Sequence, residues 1–286
     1  MTTVKGSAAA VTGAASGIGR ALALRLAELG CDLALADRDE VGLASLRDTI
    51  AAKYSIKVTA TKLDVSKQAD VERFAAAAID AHPKLNIIIN NAGVALMGDH
   101  DDVSMADFEW LMSINFWGVV YGCQVFLPHL SKQPEAHVIN VSSIFGLIGP
   151  PGQTAYAASK FAVRGYTEAL RHECAERNWP VHVSTVHPGG IKTNIAKNAR
   201  AASNLSNLKS QLVDNFALLA RSTPEQAAQR IVDGILGNEV RILIGGDARL
   251  IDRLQRLMPV GYYRWLQKLT RHATGRSKRL GAKDAR

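Results

Sequence analysis

The chain has 286 residues, 47% of them hydrophobic, three cysteines and a formal net charge of +8. This suits one large α/β domain with a sizeable core and excludes a disordered chain. Cys31, Cys123 and Cys174 are scattered and form no C-x-x-C pair, so neither a disulfide framework nor a metal site is expected, and a reduced cytoplasmic setting fits.

The first predicted strand, Ala8-Ala9-Ala10-Val11, begins within a few residues of the N-terminus, so no signal peptide is expected. The turn Thr12-Gly13-Ala14-Ala15-Ser16-Gly17-Ile18-Gly19 follows it. A helical pattern over Arg20–Leu29 then ends at Gly30. Strand, glycine turn and helix form the context of a dinucleotide site, because glycines let a pyrophosphate approach and the helix N-terminus offers N–H groups. A tight loop without a ligand has the same local pattern. The second strand, Asp32–Asp37, ends on Asp37, 24 residues after Gly13. A carboxylate there can accept from both adenosine ribose hydroxyls and repels a 2′-phosphate. Ser16, not Lys or Arg, precedes Gly17, so NAD is expected in preference to NADP. Arg38 offers a phosphate partner in principle, and Asp37 alone also suits a strand-end turn.

Val58–Leu63 reads as a third strand, 67–81 as a helix and Ile87–Ile89 as a fourth strand. A long helical pattern spans 105–131, a fifth strand His137–Val141, a helix 154–177 and a sixth strand Val181–Val186. No apolar stretch reaches 18 residues, so no spanning helix is expected. Residues 195–222 lack a strand pattern and read either as a mobile substrate lid or as a surface helix pair. Thr223-Pro224-Glu225 starts another helix, and Arg241–Ile244 is a seventh strand. Apolar strands alternating with helices predict a doubly wound, seven-stranded parallel sheet with helices on both faces, a Rossmann fold. The expected organisation is a catalytic domain over 1–247, with the lid at about 195–222, and a helical extension over 248–286.

Tyr156 and Lys160, at i and i+4 on one helix, share a face. A cation beside a phenol favours the phenolate and is expected to lower the Tyr156 pKa toward neutrality, suiting proton exchange with an alcohol or ketone. Ser143 lies thirteen residues upstream of Tyr156.

These motifs, in this order, resemble the short-chain dehydrogenase/reductase family over about residues 5–245. Further matches are Leu63-Asp64-Val65, Asn90-Asn91-Ala92-Gly93, Asn115, Ser143, and His187-Pro188-Gly189-Gly190-Ile191-Lys192-Thr193. The resemblance implies reversible hydride transfer with Asn115, Ser143, Tyr156 and Lys160 as the catalytic set. It assigns cofactor contact to Gly13, Ser16, Gly17, Ile18, Gly19 and Asp37, with Asp64 and Val65 at the adenine. Asn91, Ala92 and Gly93 border the cofactor, and Pro188, Gly189, Ile191 and Thr193 meet the nicotinamide. It also gives Lys160 the nicotinamide ribose and Asn115 a water linking Lys160 to solvent. Helices 105–131 and 154–177 form the homodimer or homotetramer bundle of that family, although burial inside one subunit would read alike. A nucleotide-binding regulator or scaffold on the same fold is the alternative, but it has no use for Tyr, Lys and Ser together. A lyase, epimerase or dehalogenase is a lesser one.

Ile144, Phe145, Leu147, Ile148, Met97, Phe216, Leu218 and Leu219 form an apolar set that favours a hydrophobic alcohol or ketone, or else is core. From Ala248 onward the chain carries eleven Lys/Arg against two acids, a net +9 that leaves −1 for the rest. No nucleic-acid partner is therefore expected on the body. Leu250, Ile251, Leu254, Leu257 and Met258 form a helical stripe among arginines, Pro259 breaks it, and Tyr262, Tyr263, Trp265, Leu266 and Leu269 begin a second set. Two readings stay open: peripheral contact with a membrane, or packing on the enzyme body or another subunit.

Overall fold

Strands that are apolar on both faces can be satisfied only if helices cover both. The computed structural model describes residues 4–201, 220–265 and 267, and it has that arrangement. Strands β1 (Ala8–Thr12), β2 (Asp32–Asp37), β3 (Val58–Lys62) and β4 (Leu85–Asn90) build one half of the main sheet. Strands β6 (Ala136–Val141), β7 (Val181–Pro188) and β9 (Arg241–Ile244) build the other. Seven strands pair in parallel, as predicted, and the structure gives their order as β3-β2-β1-β4-β6-β7-β9. The order reverses between β1 and β4, and in such sheets ligands bind outside the strand carboxyl ends at that switch.

Helices α1 (Gly17–Glu28), α2 (Glu40–Lys53) and α7 (Pro224–Leu236) cover one face, burying Leu22, Leu26, Leu46, Ile50 and Ile231. Helices α3 (Gln68–Ala81), α5 (Gly118–Leu130) and α6 (Thr154–Glu176) cover the other, with Phe74 edge-on to Phe126. Strand alternation divides the cores, since Ile87 and Ile89 face the first and Ile88 the second. Thr223 and Gln226 cap α7 with a full capping box behind Pro224.

The predicted 105–131 helix is α4 (Met105–Met112), a π-helical turn over Ser113–Trp117, and α5. Together these 26 residues are long and apolar enough to cross a membrane by composition, although no single apolar run is. An average over 18 residues tolerates the polar side chains that interrupt a run. Half of its 18-residue apolar window is buried against protein, as befits a core helix.

Two short strands were not predicted. β5 (Leu96–Met97) pairs with β8 (Arg200–Ala201) inside the expected lid. Two residues carry no periodicity, and the pairing is tertiary: the Arg200 guanidinium sits 3.6 Å from the centre of the Trp110 ring and bonds Asp107 at 3.0 Å. Residues 202–219, with Phe216, Leu218 and Leu219, lie outside the described residues.

The extension opens with α8 (Gly246–Leu257). Arg241 of β9 pairs with Asp252 at 2.9 Å and with Glu168 of α6 at 2.7 Å. Leu254 is buried and Ile251 half-buried, whereas Leu250 and Leu257 are exposed. Tyr262 accepts a hydrogen bond from Gly149 N–H at 3.1 Å. The stripe is thus shared between the enzyme body and the surface. Leu266 and Leu269 lie outside the described residues.

Candidate active site

The first part of the site is the turn between β1 and α1. Gly13 has φ +67°, and a Cβ there would lie 2.8 Å from Ala92 Cα. A Cβ on Gly19 would lie 2.1 Å from the Gly13 carbonyl oxygen. Only glycine fits either position. Asn91 clamps the turn from β4, its Nδ2 donating to the Thr12 and Gly13 carbonyls at 2.9 and 3.1 Å. Thr12 Oγ1 accepts from the Asn91 and Ala92 amides. At the start of α1, Ser16 makes no side-chain cap and the first turn holds no acid, so its N–H groups and Ile18 suit an anion. At the end of β2, Asp37 accepts from Ala15 N–H at 2.9 Å and Asp39 N–H at 3.0 Å. Past β3, Asp64 accepts from Ser66, and Val65 lies where a Cβ on Gly118 would meet it at 3.0 Å.

The second part gathers the candidate catalytic residues. Asn115 is fully buried in the π turn. Its Oδ1 accepts from Val94 N–H at 2.8 Å, and its Nδ2 donates to Val94 O at 3.0 Å and Ser159 Oγ at 3.2 Å. Ser159 in turn donates to the Tyr156 carbonyl, joining the π turn to α6. A Cβ on Gly93 would sit 3.3 Å from Asn115 Oδ1 and 3.5 Å from Lys160 Nζ. Ser143 leaves β6 and caps a 3-10 turn over Ile144–Gly146, its Oγ accepting from Phe145 N–H at 3.1 Å. That leaves its own hydrogen to donate, and Tyr156 is its hydrogen-bonding neighbour. Pro188 ends β7, Gly189 contacts the Asp247 carboxylate region of α8, and Ile191 and Thr193 follow. Thr193 Cγ2 comes within 3.3 Å of a Cβ on Gly17. Every predicted site residue therefore lies at the carboxyl edge of the sheet or on the elements packed there.

One expectation is corrected. Lys160 Nζ lies 5.7 Å from the Tyr156 ring centre but donates to Val141 O at 3.0 Å. Burial pushes the Tyr156 phenol up to about 12, and the Ser143 hydrogen bond offsets this only in part. Burial also pulls the Lys160 ammonium down to about 8. Desolvation, which i, i+4 spacing does not reveal, outweighs the cation here.

Residues 7–204 match the short chain dehydrogenase family. The chain belongs to the short-chain dehydrogenase family. A relative in Mycobacterium tuberculosis, SadH, is 42% identical over 265 residues, covering 92% of this chain and 95% of that protein. A short-chain dehydrogenase/reductase from Burkholderia phymatum, solved in complex with NAD, is similar with a TM-score of 0.84 and 32% identity over 90% of this chain and 95% of that one. Levodione reductase is similar with a TM-score of 0.75 and 26% identity over 86% and 98%.

In this short-chain dehydrogenase the glycine cradle, the uncapped α1 start and the Asp37 carboxylate fit a dinucleotide: closely approached backbone, free donors and a ribose acceptor. A cavity of about 290 Å³ opens beside the catalytic helix, lined by His100, Val103, Met105, Phe108 and Thr154. Leu147 and Ile148 are buried, whereas Met97, Ile144 and Phe145 are half-buried, with Phe145 edge-on to Tyr156. Sequence reasoning missed Ser142, whose Oγ donates to Lys160 O at 2.8 Å, and Asp247, which accepts from Gly190 N–H at 2.8 Å. Ser142 adjoins Ser143 in sequence, but nothing local signals Asp247, which arrives from the extension.

Proposed function

We propose that the protein interconverts a hydrophobic secondary alcohol and its ketone, with a nicotinamide dinucleotide as hydride carrier. The reading rests on the convergence of Asn115, Ser143, Tyr156 and Lys160 beside the glycine cradle. When bound, the nicotinamide supplies the hydride acceptor or donor. Tyr156, protonated at neutral pH, gives a proton to the carbonyl oxygen in reduction and must first lose it to act as base in oxidation. Ser143 donates to the same oxygen and stabilises charge developing there. Lys160 holds the nicotinamide ribose and faces the phenol. Asn115 binds the π turn to α6, and the widened turn holds the water that leads toward Lys160. The apolar lining at Val103, Met105 and Phe108 supports a hydrophobic substrate. Initial-rate screens of secondary alcohols, from sugars to sterols, test the reading. Tight cofactor binding with no turnover on any of them would favour the regulator instead.

NAD is the proposed cofactor. Both Asp37 oxygens are anchored by main-chain N–H groups, so the carboxylate cannot swing away from a 2′-phosphate. Fluorescence titration should give NADH the lower Kd by about 10- to 100-fold, or roughly 1.4–2.7 kcal/mol. Asp37→Ala should narrow or reverse the gap, helped by Arg38. Tighter NADPH binding by the unmodified protein would overturn the preference.

A homodimer or homotetramer through α5 and α6 belongs to the same proposal. Trp117 and Phe161 stay 46% and 41% exposed there, as an intersubunit surface would leave them in one subunit. Peripheral membrane contact is proposed for the extension, where Leu250, Leu257 and Val260 are exposed near Arg249 and Arg253. The full chain should float with anionic and not neutral vesicles at low salt, and Leu257→Glu with Val260→Glu should weaken this. Equal flotation of the variant would remove the assignment.

A further inference from the structure

Strands β6 and β7 run in register up to Val141 against Val186, and the last main-chain bond between them is Ser142 N–H to Val186 O at 2.8 Å. Ser143 stands one residue past that point. A serine that serves the site has to leave the ladder, and it then loses the ladder's support. His187, the next residue of β7, is fully buried, and its Nδ1 lies 2.8 Å from the Ser143 carbonyl oxygen. A carbonyl only accepts, so Nδ1 carries the hydrogen. Nε2 is buried and makes no hydrogen bond among the described residues. Burial, then the charges of Arg241 and Arg164, pull the imidazole down to about 4 against the opposing Ser143 bond. The ring is therefore neutral at working pH, and moving its hydrogen to Nε2 would sacrifice the bond.

We infer that His187 is a positioning residue for Ser143, its side chain adding one rung to the sheet where the main-chain ladder has ended. Three bonds then fix the serine. Its carbonyl accepts from His187 Nδ1 and from Gly146 N–H at 2.9 Å, and its Oγ accepts from Phe145 N–H. The hydroxyl hydrogen remains available to donate, to Tyr156 here and to a substrate oxygen in the proposed reaction. Removing the His187 bond leaves the Ser143 carbonyl held by Gly146 N–H alone and loosens the peptide plane that carries the serine, and small misplacements of a transition-state donor are costly. This role rests on the proposed dehydrogenase reaction.

Three variants test it on an accepted substrate. His187→Leu should lower kcat about 10- to 100-fold while the Kd for NADH stays within about twofold. His187→Asn places an amide near the Nδ1 position and should recover most of the loss, whereas His187→Gln, reaching the Nε2 position, should not. His137→Leu removes another fully buried histidine, of β6 and remote from the serine. It should lower the melting temperature without the fall in kcat. Wild-type kcat in a folded His187→Leu, or equal failure of Asn and Leu in folded proteins, overturns the positioning role alone. Absence of turnover in the unmodified enzyme overturns the reaction and this role with it.

Discussion

Tyr156→Phe is expected to lower turnover by on the order of 10³-fold or more while the NADH Kd changes by less than about threefold. The substitution removes one oxygen and keeps the ring that packs edge-on against Phe145. Among the described residues the other buried acid beside the phenol is Lys160, whose ammonium is held by Val141 O, and Ser143 is a donor far too weak to ionise. The phenol's elevation to about 12 adds a direction to the expectation. A protonated phenol is ready to donate, so ketone reduction should run well at neutral pH. Alcohol oxidation needs the phenolate and should gain as pH rises. Rates in both directions across pH 6 to 10, with cofactor titration of the variant, check both statements. Near-normal turnover by Tyr156→Phe would falsify the acid/base assignment.

Lys160→Met is expected to cost at least about 100-fold in turnover and yet to make the unliganded protein more stable at neutral pH. Lys160 is only 4% exposed, and burial lowers its pKa from 10.5 to about 8. The sign follows from where each state releases the proton. Below pH 8 the ammonium is charged in both states, and the folded state bears the whole desolvation cost, on the order of 3 kcal/mol. Between pH 8 and 10.5 the folded protein is neutral while the unfolded chain is still charged, so the cost fades, and above 10.5 it is gone. Methionine avoids that cost but leaves the Val141 carbonyl without its donor, worth about 1 kcal/mol. Urea unfolding should therefore show a gain of about 2 kcal/mol at pH 7 that reaches zero near pH 10 and becomes a deficit of about 1 kcal/mol above pH 10.5. An equal or lower stability at pH 7 would show that the ammonium is solvated within the fold. The expected trade marks Lys160 as a residue kept for chemistry at the expense of stability.

The strands and helices were legible because each advertises itself locally. Ile87–Ile89 is β-branched and short, Thr223-Pro224-Glu225 has the chemistry of a helix start, and Gly13–Gly19 marks a turn that opens a helix. The Tyr156–Lys160 face is a matter of helical spacing alone. These features, with Asp37 at a strand end, carried the fold class, the glycine turn and the Tyr156–Lys160 pair, whereas the other candidate site residues came from the resemblance to the family.

What the linear chain could not supply is everything that depends on which elements become neighbours. The strand order brings β1, β4, β6 and β7 side by side, and only then do Gly17 and Thr193 meet, 176 residues apart in sequence. The π turn that buries Asn115 depends on contact with Val94 and Ser159, so the 105–131 periodicity showed a plain helix. His187 reaches Ser143 because two strands pair in one register, and Asp247 reaches Gly190 because the extension folds back. The Tyr156 pKa follows the same division. Spacing determines that a cation is near, but the surrounding protein determines how much water is excluded, and desolvation decided the sign. Local propensity and periodicity are properties of the sequence, whereas burial and long-range hydrogen bonds exist only once distant segments have packed.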